Sequence, residues 1–290
     1  MKRIAALYTC HNRKDKTIKS LASLYSGLES CSHRISMDVY LTDDGSTDGT
    51  SEAIRKSYPE VHLLQGDGSL FWAEGMRMSW NRALEKDYDG FLLLNDDVDI
   101  YPIVFDQLLT AHEYCTQTFG TPGIYIGPTE DRYKGNLTYS GSLVLNKLLY
   151  TQKRLPPNGT FQSCDLANAN IMLVSKSVVN QIGILSKGYS HGMADYDYTL
   201  MARKKSIPVL VTRDYCGHCE NDHVDTYLDF DKKSFEERKK ILYSPTGLAF
   251  DSYKKYMKKF FPLRYPVVVV MGYLKLYFPG FYLKFMGNRG

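Results

Sequence analysis

The sequence predicts an α/β protein, with a mostly parallel central sheet flanked by helices and a C-terminal helical, amphipathic extension. Two observations predict the sheet and a third predicts the extension. Along the first hundred residues, apolar runs of strand length alternate with segments of helical period, the pattern of parallel strands joined by crossover helices. Those strands run out into polar, glycine-bearing stretches, and an open parallel sheet binds its ligand beyond the carboxyl ends of its strands. Past residue 228 the composition turns basic, aromatic and aliphatic together.

The elements follow in order. "RIAALYT" reads as the first strand, residues 14 to 28 as a helix, "MDVYLTDD" as a strand, "GTSEAIRKSY" as a helix and "VHLLQGD" as a strand. "AEGMRMSWNRALEK" then has helical period, and "GFLLLNDD" is a buried strand ending in acid. The strand ends carry "TCHNR", "TDDGSTDGT", "GDGSLFW" and "NDDVD", which places polar and glycine residues along one edge of the sheet. No internal repeat or low-complexity linker interrupts the chain.

Composition narrows the class. At 290 residues, 43% hydrophobic and 23% charged, the chain is long enough for one large α/β domain with a modest appendage. Six cysteines, at positions 10, 31, 115, 164, 216 and 219, lack the even framework of small secreted domains and are expected as reduced thiols in the cytoplasm. The apolar run after "MKR" is too short for a signal peptide, so the sequons at Asn136 and Asn158 carry little meaning. In the tail, Pro262, Pro266 and Pro279 interrupt the best apolar stretch, which falls short of the roughly 18 residues a spanning helix needs. Two readings of the tail stay open: an anionic membrane surface, or packing on the main domain or a homodimer partner. Nucleic acid is not expected, because no recognition motif accompanies the charge.

Three motifs carry chemistry. In "LTDDGSTDGT", Asp43 and Asp44 stand at a strand end before a glycine turn, where a carboxylate can accept from a base or ribose; a plain capped turn is the alternative. "NDDVDI" delivers Asn95, Asp96, Asp97 and Asp99 to the end of a very apolar strand, and such a cluster of hard oxygen ligands suits magnesium or manganese. In "GDGSLFWAEGMR", Gly66 and Gly68 allow close backbone approach and Trp72 offers a flat apolar face, for ligand or for core. "CGHCENDH" is too crowded for a tetrahedral zinc site and has histidine in the wrong place for haem attachment.

Taken together, the four strand-end motifs resemble the family 2 glycosyltransferases of the GT-A fold, which are inverting, metal-dependent and use nucleotide sugars. "ANANIMLVSKSVVNQIGILSKGYSHGMADYDYTLMARKKSIPV" is similar to that family's acceptor half, so the resemblance spans roughly residues 3 to 223. It implies a catalytic domain over 1–228, with a nucleotide-sugar half (1–100) and an acceptor half (101–228), followed by the extension 229–290. It implies that Thr9, His11, Arg13, Asp43, Asp44, Gly68, Trp72, Asn95 and Asp96 line the nucleotide-sugar site, and that Asp97 holds a divalent metal (Mn2+ or Mg2+). His218 completes the metal or diphosphate site, with His223 as second choice. Asp99 is a bystander. In "HGMADYDYTL" the family's Glu-Asp pair falls on Ala194 and Asp195, so the glutamate is lost and the expected catalytic base, Asp195, is kept. Asp197 is its fallback and, with Asn170 and His191, a candidate acceptor contact; Arg203 is expected to pair with Asp197 or serve phosphate.

The chemistry agrees with that assignment, because an inverting transfer needs a base for the acceptor hydroxyl and neutralisation of the leaving diphosphate. The processive synthases' Gln-x-x-Arg-Trp motif and spanning helices are missing, which implies addition of a single sugar to a glycan, lipid-linked in one version, at the inner face of the cytoplasmic membrane. Two rivals remain at this point. A nucleotidyltransferase shares the α/β metal site but wants a glycine-rich basic loop that "TCHNRKDK" does not supply, and a non-catalytic sugar-binding scaffold would fit a decayed site.

Overall fold

The computed structural model describes residues 1–220 and 229–286. The first part alternates as expected: β1 (Arg3–Cys10), α1 (Lys14–Ser30), β2 (Ser36–Asp43), α2 (Thr50–Ser57), β3 (His62–Gln65), α3 (Phe71–Ala83), β4 (Gly90–Leu94) and the short β5 (Asp99–Ile100). The middle runs through α4 (Val104–Phe119), β6 (Ile124–Ile126), β7 (Thr129–Glu130), β8 (Leu137–Tyr139), β9 (Gly141–Asn146) and β10 (Thr151–Arg154). There follow β11 (Gln162–Ser163), β12 (Leu166–Ala167), β13 (Ile171–Ser175), α5 (Lys176–Ile182), α6 (Ala194–Lys204), β14 (Val209–Val211) and β15 (Gly217–His218). The extension is a 3-10 turn at Phe230–Lys232 and four helices, α7 (Phe235–Tyr243), α8 (Phe250–Phe260), α9 (Tyr265–Tyr277) and α10 (Pro279–Met286).

The main sheet has the order β11-β14-β6-β13-β4-β1-β2-β3. Strands β4, β1, β2 and β3 are parallel neighbours, whereas β13 lies antiparallel between β4 and β6. Thr9 stands beside Thr42, and Asp43 beside Gln65, so the ends of β1, β2 and β3 open on one edge. Period-two alternation along β1 sorts its side chains onto two faces. Ile4, Ala6 and Tyr8 join the core under α1 and α4, while Ala5 and Leu7 join Met76 and Trp80 of α3 in the core on the other face.

The extension is more integrated than a separate appendage. A third core joins Leu242, Phe250, Tyr256 and Met257 of the extension to Ala73 of α3, Leu166 of β12 and Tyr189 and Ala194 of the acceptor half. Helix α7 starts with a capping box, in which Ser234 Oγ accepts from the Glu237 N–H at 3.3 Å and the Glu237 carboxylate accepts from the Ser234 N–H at 2.7 Å. Where α9 crosses α8, a β-carbon at Gly272 would run into the Phe250 ring, so only glycine permits that approach. Among the described residues no helix is long and apolar enough to cross a membrane.

Candidate active site

The strand ends organise the site before any ligand is considered. Asp44 spends its carboxylate on the loop that follows β3, accepting from the Gly68 N–H at 2.9 Å and the Phe71 N–H at 2.8 Å. That loop passes close beneath the β2 turn: Gly45 and Gly68 both have positive φ, and a β-carbon on Gly45 would lie 2.8 Å from the Gly68 nitrogen. Asp43 is fully buried, accepting from the Ser46 N–H at 2.9 Å and from the Ser51 hydroxyl. The expectation that Asp43 contacts the base is corrected, because its carboxylate braces the start of α2. Asp44, 3% exposed, positions the loop through these two bonds. Thr9 is buried too, packed against α3 where Gly75 leaves it room. His11 is exposed at the rim, its Nδ1 2.6 Å from the Asp44 carbonyl.

The acid cluster after β4 is equally committed. Trp72 donates from its ring N–H to Asn95 Oδ1 at 2.8 Å, which fixes the indole beside the cluster. Arg13 bridges the two acids, 3.0 Å from Asp96 and 2.9 Å from Asp97. Asp96 is 5% exposed, also takes a weak bond from Thr17 at 3.4 Å, and burial pushes its carboxyl up to about 6 against the pull of Arg13. One expectation changes, because Asp96 faces inward and not towards sugar or ribose; Arg13 pairs with both acids while its side chain stays 37% exposed. Asp97 remains partly open, at 16% side-chain exposure.

Asp97 and His218 line one small cavity of about 80 Å3, together with Lys16, Lys19, Arg132 and Glu220. His218 enters it from β15, paired in register with Asp99 of β5 and Glu130 of β7; its Nε2 lies 2.9 Å from the Tyr101 hydroxyl, which donates to Glu130 at 2.7 Å. Asp99 is occupied by Lys19 at 3.1 Å and by Arg132. His223 lies outside the described residues. Among the described residues no three His, Cys, Asp or Glu side chains converge to hold a metal by themselves. The donor set nonetheless fits a hard divalent ion that shares its shell with phosphates, since magnesium-type ions take one or two protein carboxylates and fill the rest from substrate. Asp97 would be that carboxylate, in a wall that also holds Asp99 and Glu220 and the three basic side chains Lys16, Lys19 and Arg132.

Asp195 stands in the first turn of α6, just after Met193 turns the chain through positive φ. Its carboxylate accepts from the Tyr196 N–H at 2.8 Å, with longer contacts to the Ala169 N–H at 3.4 Å and Asn168 Nδ2 at 3.5 Å. Burial pushes the carboxyl up to about 6, and those donors pull it partly back. Residues 168–170 connect the base to the acid cluster. The Asn170 carbonyl accepts from the Asn95 N–H at 3.2 Å, and Asn170 Nδ2 reaches the Cys219 thiol at 3.5 Å, which in turn lies 3.6 Å from Asp97. Asn170 is therefore buried linkage and not an acceptor contact. The six cysteines are unpaired, and burial pushes the Cys216 thiol up to about 12.

Asp197, the other acid of the motif, is fully buried. It accepts from Ser186 at 2.7 Å, Tyr189 at 2.7 Å and Lys259 of α8 at 2.7 Å. Its roles as acceptor contact and as fallback base are corrected, because it is wholly buried with both oxygens held by Ser186, Tyr189 and Lys259. Arg203 reaches Asp165 at 3.5 Å, not Asp197. His191 is exposed on the loop before α6. Sequence reasoning missed Lys259 and Asn168. A lysine in a basic run gives no local sign of a partner 62 positions away, whereas Asn168 stood inside the quoted "ANAN" segment.

Against this geometry the comparisons can be placed. No protein-family model matches the chain. A low-salt glycan biosynthesis hexosyltransferase of Haloferax volcanii, Agl10, is 22% identical over 240 residues, covering 75% of this chain and 70% of the relative. Among solved structures, the mannosyltransferase PcManGT of Pyrobaculum calidifontis in complex with GDP-mannose and Mn2+ superposes with a TM-score of 0.55 at 12% identity, over 99% of this chain and 76% of that one. Residues 1–349 of S. aureus TarS in complex with UDP give 0.55 at 12% identity, over 100% and 74%. The fold is GT-A, and with the relative it defines the class, a glycosyltransferase.

Proposed function

We propose that this protein is an inverting glycosyltransferase that moves one hexose from a nucleotide-diphosphate sugar to a hydroxyl of a glycan, with Asp195 as general base. The observation that carries this reading is the linkage of Asp195, through residues 168–170, to the Asn95–Asp97 cluster at the end of β4. A carboxylate with its pKa raised to about 6 is ionised near neutrality yet more basic than an ordinary aspartate, which suits removal of a hydroxyl proton during attack. The first turn of α6 orients it and favours its charged form.

On the donor side, Asp97, with His218 on the same cavity wall, would hold a divalent ion, Mn2+ or Mg2+, which when bound supplies charge neutralisation to the departing diphosphate. Lys16, Lys19 and Arg132 add positive charge there. Trp72, fixed by Asn95, stands beside the acid cluster on the α3 side. PcManGT with GDP-mannose and Mn2+, and TarS with UDP, support a nucleotide donor for this fold. A panel of UDP-, GDP- and dTDP-sugars, each with Mn2+, Mg2+ or EDTA, tests the reading through released nucleotide diphosphate. Turnover of none of them, with or without glycan acceptors, would refute it.

We also infer that the enzyme works against an anionic membrane, as a polysaccharide assembled on a lipid at the inner face of the cytoplasmic membrane requires. Residues 229–290 carry thirteen Lys and Arg against five Asp and Glu, a net +8, which leaves −4 for residues 1–228 of a chain totalling +4. From Ser252 onward there are eight basic residues and no acidic one. Val267, Val270, Tyr273, Tyr277 and Phe281 are exposed along α9 and α10, within the stretch whose charged residues are all basic. A second copy on this face would set +8 against +8. The full chain should float with phosphatidylglycerol-containing vesicles and not with pure phosphatidylcholine, and Val270→Glu with Phe281→Glu should abolish flotation; equal recovery of that variant would exclude this surface.

A further inference from the structure

We propose that a second cavity, between the loop after β3, the approach to α6 and the C-terminal extension, binds a neutral sugar unit of the acceptor. The proposal rests on the glycosyltransferase reading and adds the acceptor's place and chemistry. The cavity measures about 360 Å3, within the range of small-molecule sites. Its walls come from three separated parts of the chain: Ser69 and Glu74, Ser190, and Tyr243, Asp251 and Ser252.

Those walls are tied to one another. The Glu74 carboxylate accepts from the Gly188 N–H at 3.3 Å, the Ser190 carbonyl accepts from the Ala73 N–H at 3.0 Å, and the Ser190 N–H contacts Ser252 Oγ at 3.5 Å. Lys255 bonds the Lys187 carbonyl from α8, and Lys259 holds Asp197 from the same helix. The extension therefore braces the 186–190 segment, which runs directly into the helix that carries Asp195. A sugar held here would be held by the same segment that sets the base.

The lining chemistry selects the ligand class. Serine and tyrosine hydroxyls and two carboxylates can give and take hydrogen bonds with a polyol. None of the lining residues is Lys, Arg or His, and each carboxylate already has a cation, Glu74 with Arg77 at 3.0 Å and Asp251 with Lys254 at 2.7 Å. A phosphate would meet carboxylates with no lysine, arginine or histidine in the wall. The cavity beside Asp97 differs in carrying cations of its own, with Lys16, Lys19 and Arg132 in its wall beside Asp97, Asp99 and Glu220. Donor phosphates and acceptor hydroxyls are thus assigned to different cavities by charge.

The test uses the full chain and methyl glycosides of glucose, galactose, mannose and N-acetylglucosamine, without donor, in saturation-transfer difference NMR. At least one glycoside should give a signal that persists in EDTA and under excess inorganic phosphate, and that is lost in Tyr243→Ala with Asp251→Asn. Ser69→Trp, an exposed loop substitution that narrows the cavity without touching the extension's packing, should lose it too, and serves if the double variant does not fold. With a turned-over donor, these variants should raise acceptor KM at least tenfold while kcat and donor hydrolysis hold. No glycoside signal in the wild-type protein, an undiminished signal in both variants, or displacement by phosphate would overturn the proposal. Donor turnover is read separately, so its failure would strike the glycosyltransferase reading and leave the sugar signal to be judged alone.

Discussion

The strand-end edge of residues 1–100 and the helical extension of residues 229–286 reach the same reaction centre by different means. On the edge, function follows from adjacency: β1, β2, β3 and β4 are neighbours, and each ends in the polar residues that sequence order places there. In the extension, influence travels through packing and one ion pair, since Lys259 on α8 reaches Asp197 on the helix that bears Asp195. The comparison teaches that the proposed site draws on both regions: the edge presents the groups assigned to the donor, and the extension braces the helix that bears Asp195.

The sharpest break of that comparison is on the acceptor side itself. Asp195→Asn should lower transfer by about 10²- to 10⁴-fold, the range general-base removal produces, with an unchanged circular dichroism spectrum. A full transfer rate would remove Asp195 from the mechanism. On the donor edge, Asp97→Asn should reduce the divalent-ion dependence of donor binding, measured by calorimetry with and without Mn2+, and lower transfer about a hundredfold by loss of electrostatic stabilisation. His218→Ala should do the same more weakly.

The pH profile separates the two regions further. As the proposed base, Asp195 would act only when ionised, and burial raises its carboxyl to about 6. Transfer should therefore fall about tenfold per unit as pH drops below that value, whereas nucleotide binding should not follow that limb. The raised carboxyl also costs stability as pH climbs from its ordinary value, 3.8, to about 6, because the unfolded chain releases that proton more readily.

Smaller effects test the extension and the indole. Lys259→Met leaves the Asp197 carboxylate with only its hydroxyl donors and should cost about 2 kcal/mol, less than a fully buried pair would, because the lysine is partly exposed. Thermal melting reads that loss, and a silent variant would detach the extension from the site. Trp72→Phe removes one hydrogen bond to Asn95, worth about 1 kcal/mol, and should change donor affinity less than tenfold.

Much of this was legible in the residues. The alternation of "RIAALYT", "MDVYLTDD", "VHLLQGD" and "GFLLLNDD" with helical segments placed four strands close to where β1 to β4 run, and burial on both faces leaves the plainest apolar signature in the central strands β1 and β4. The resemblance singled out Asp195 and Asp97, and both stay partly accessible. What it could not sort was which carboxylate faces inward. Asp43, Asp96 and Asp197 have the same side chain and neighbouring positions, yet each is buried against donors of the protein.

The sequence by itself determined the α/β class, the edge on which the site forms and the acids that gather there, since strand period and strand-end composition are local properties. Only the tertiary structure decided which acids remain for ligands, that Arg13 covers Asp96 and Asp97, and that the extension braces the helix bearing Asp195. The physical reason is separation along the chain: the donor that satisfies Asp97 or Asp197 lies 84 or 62 residues away. No periodicity records such a pairing, and only the packed fold brings its two halves together.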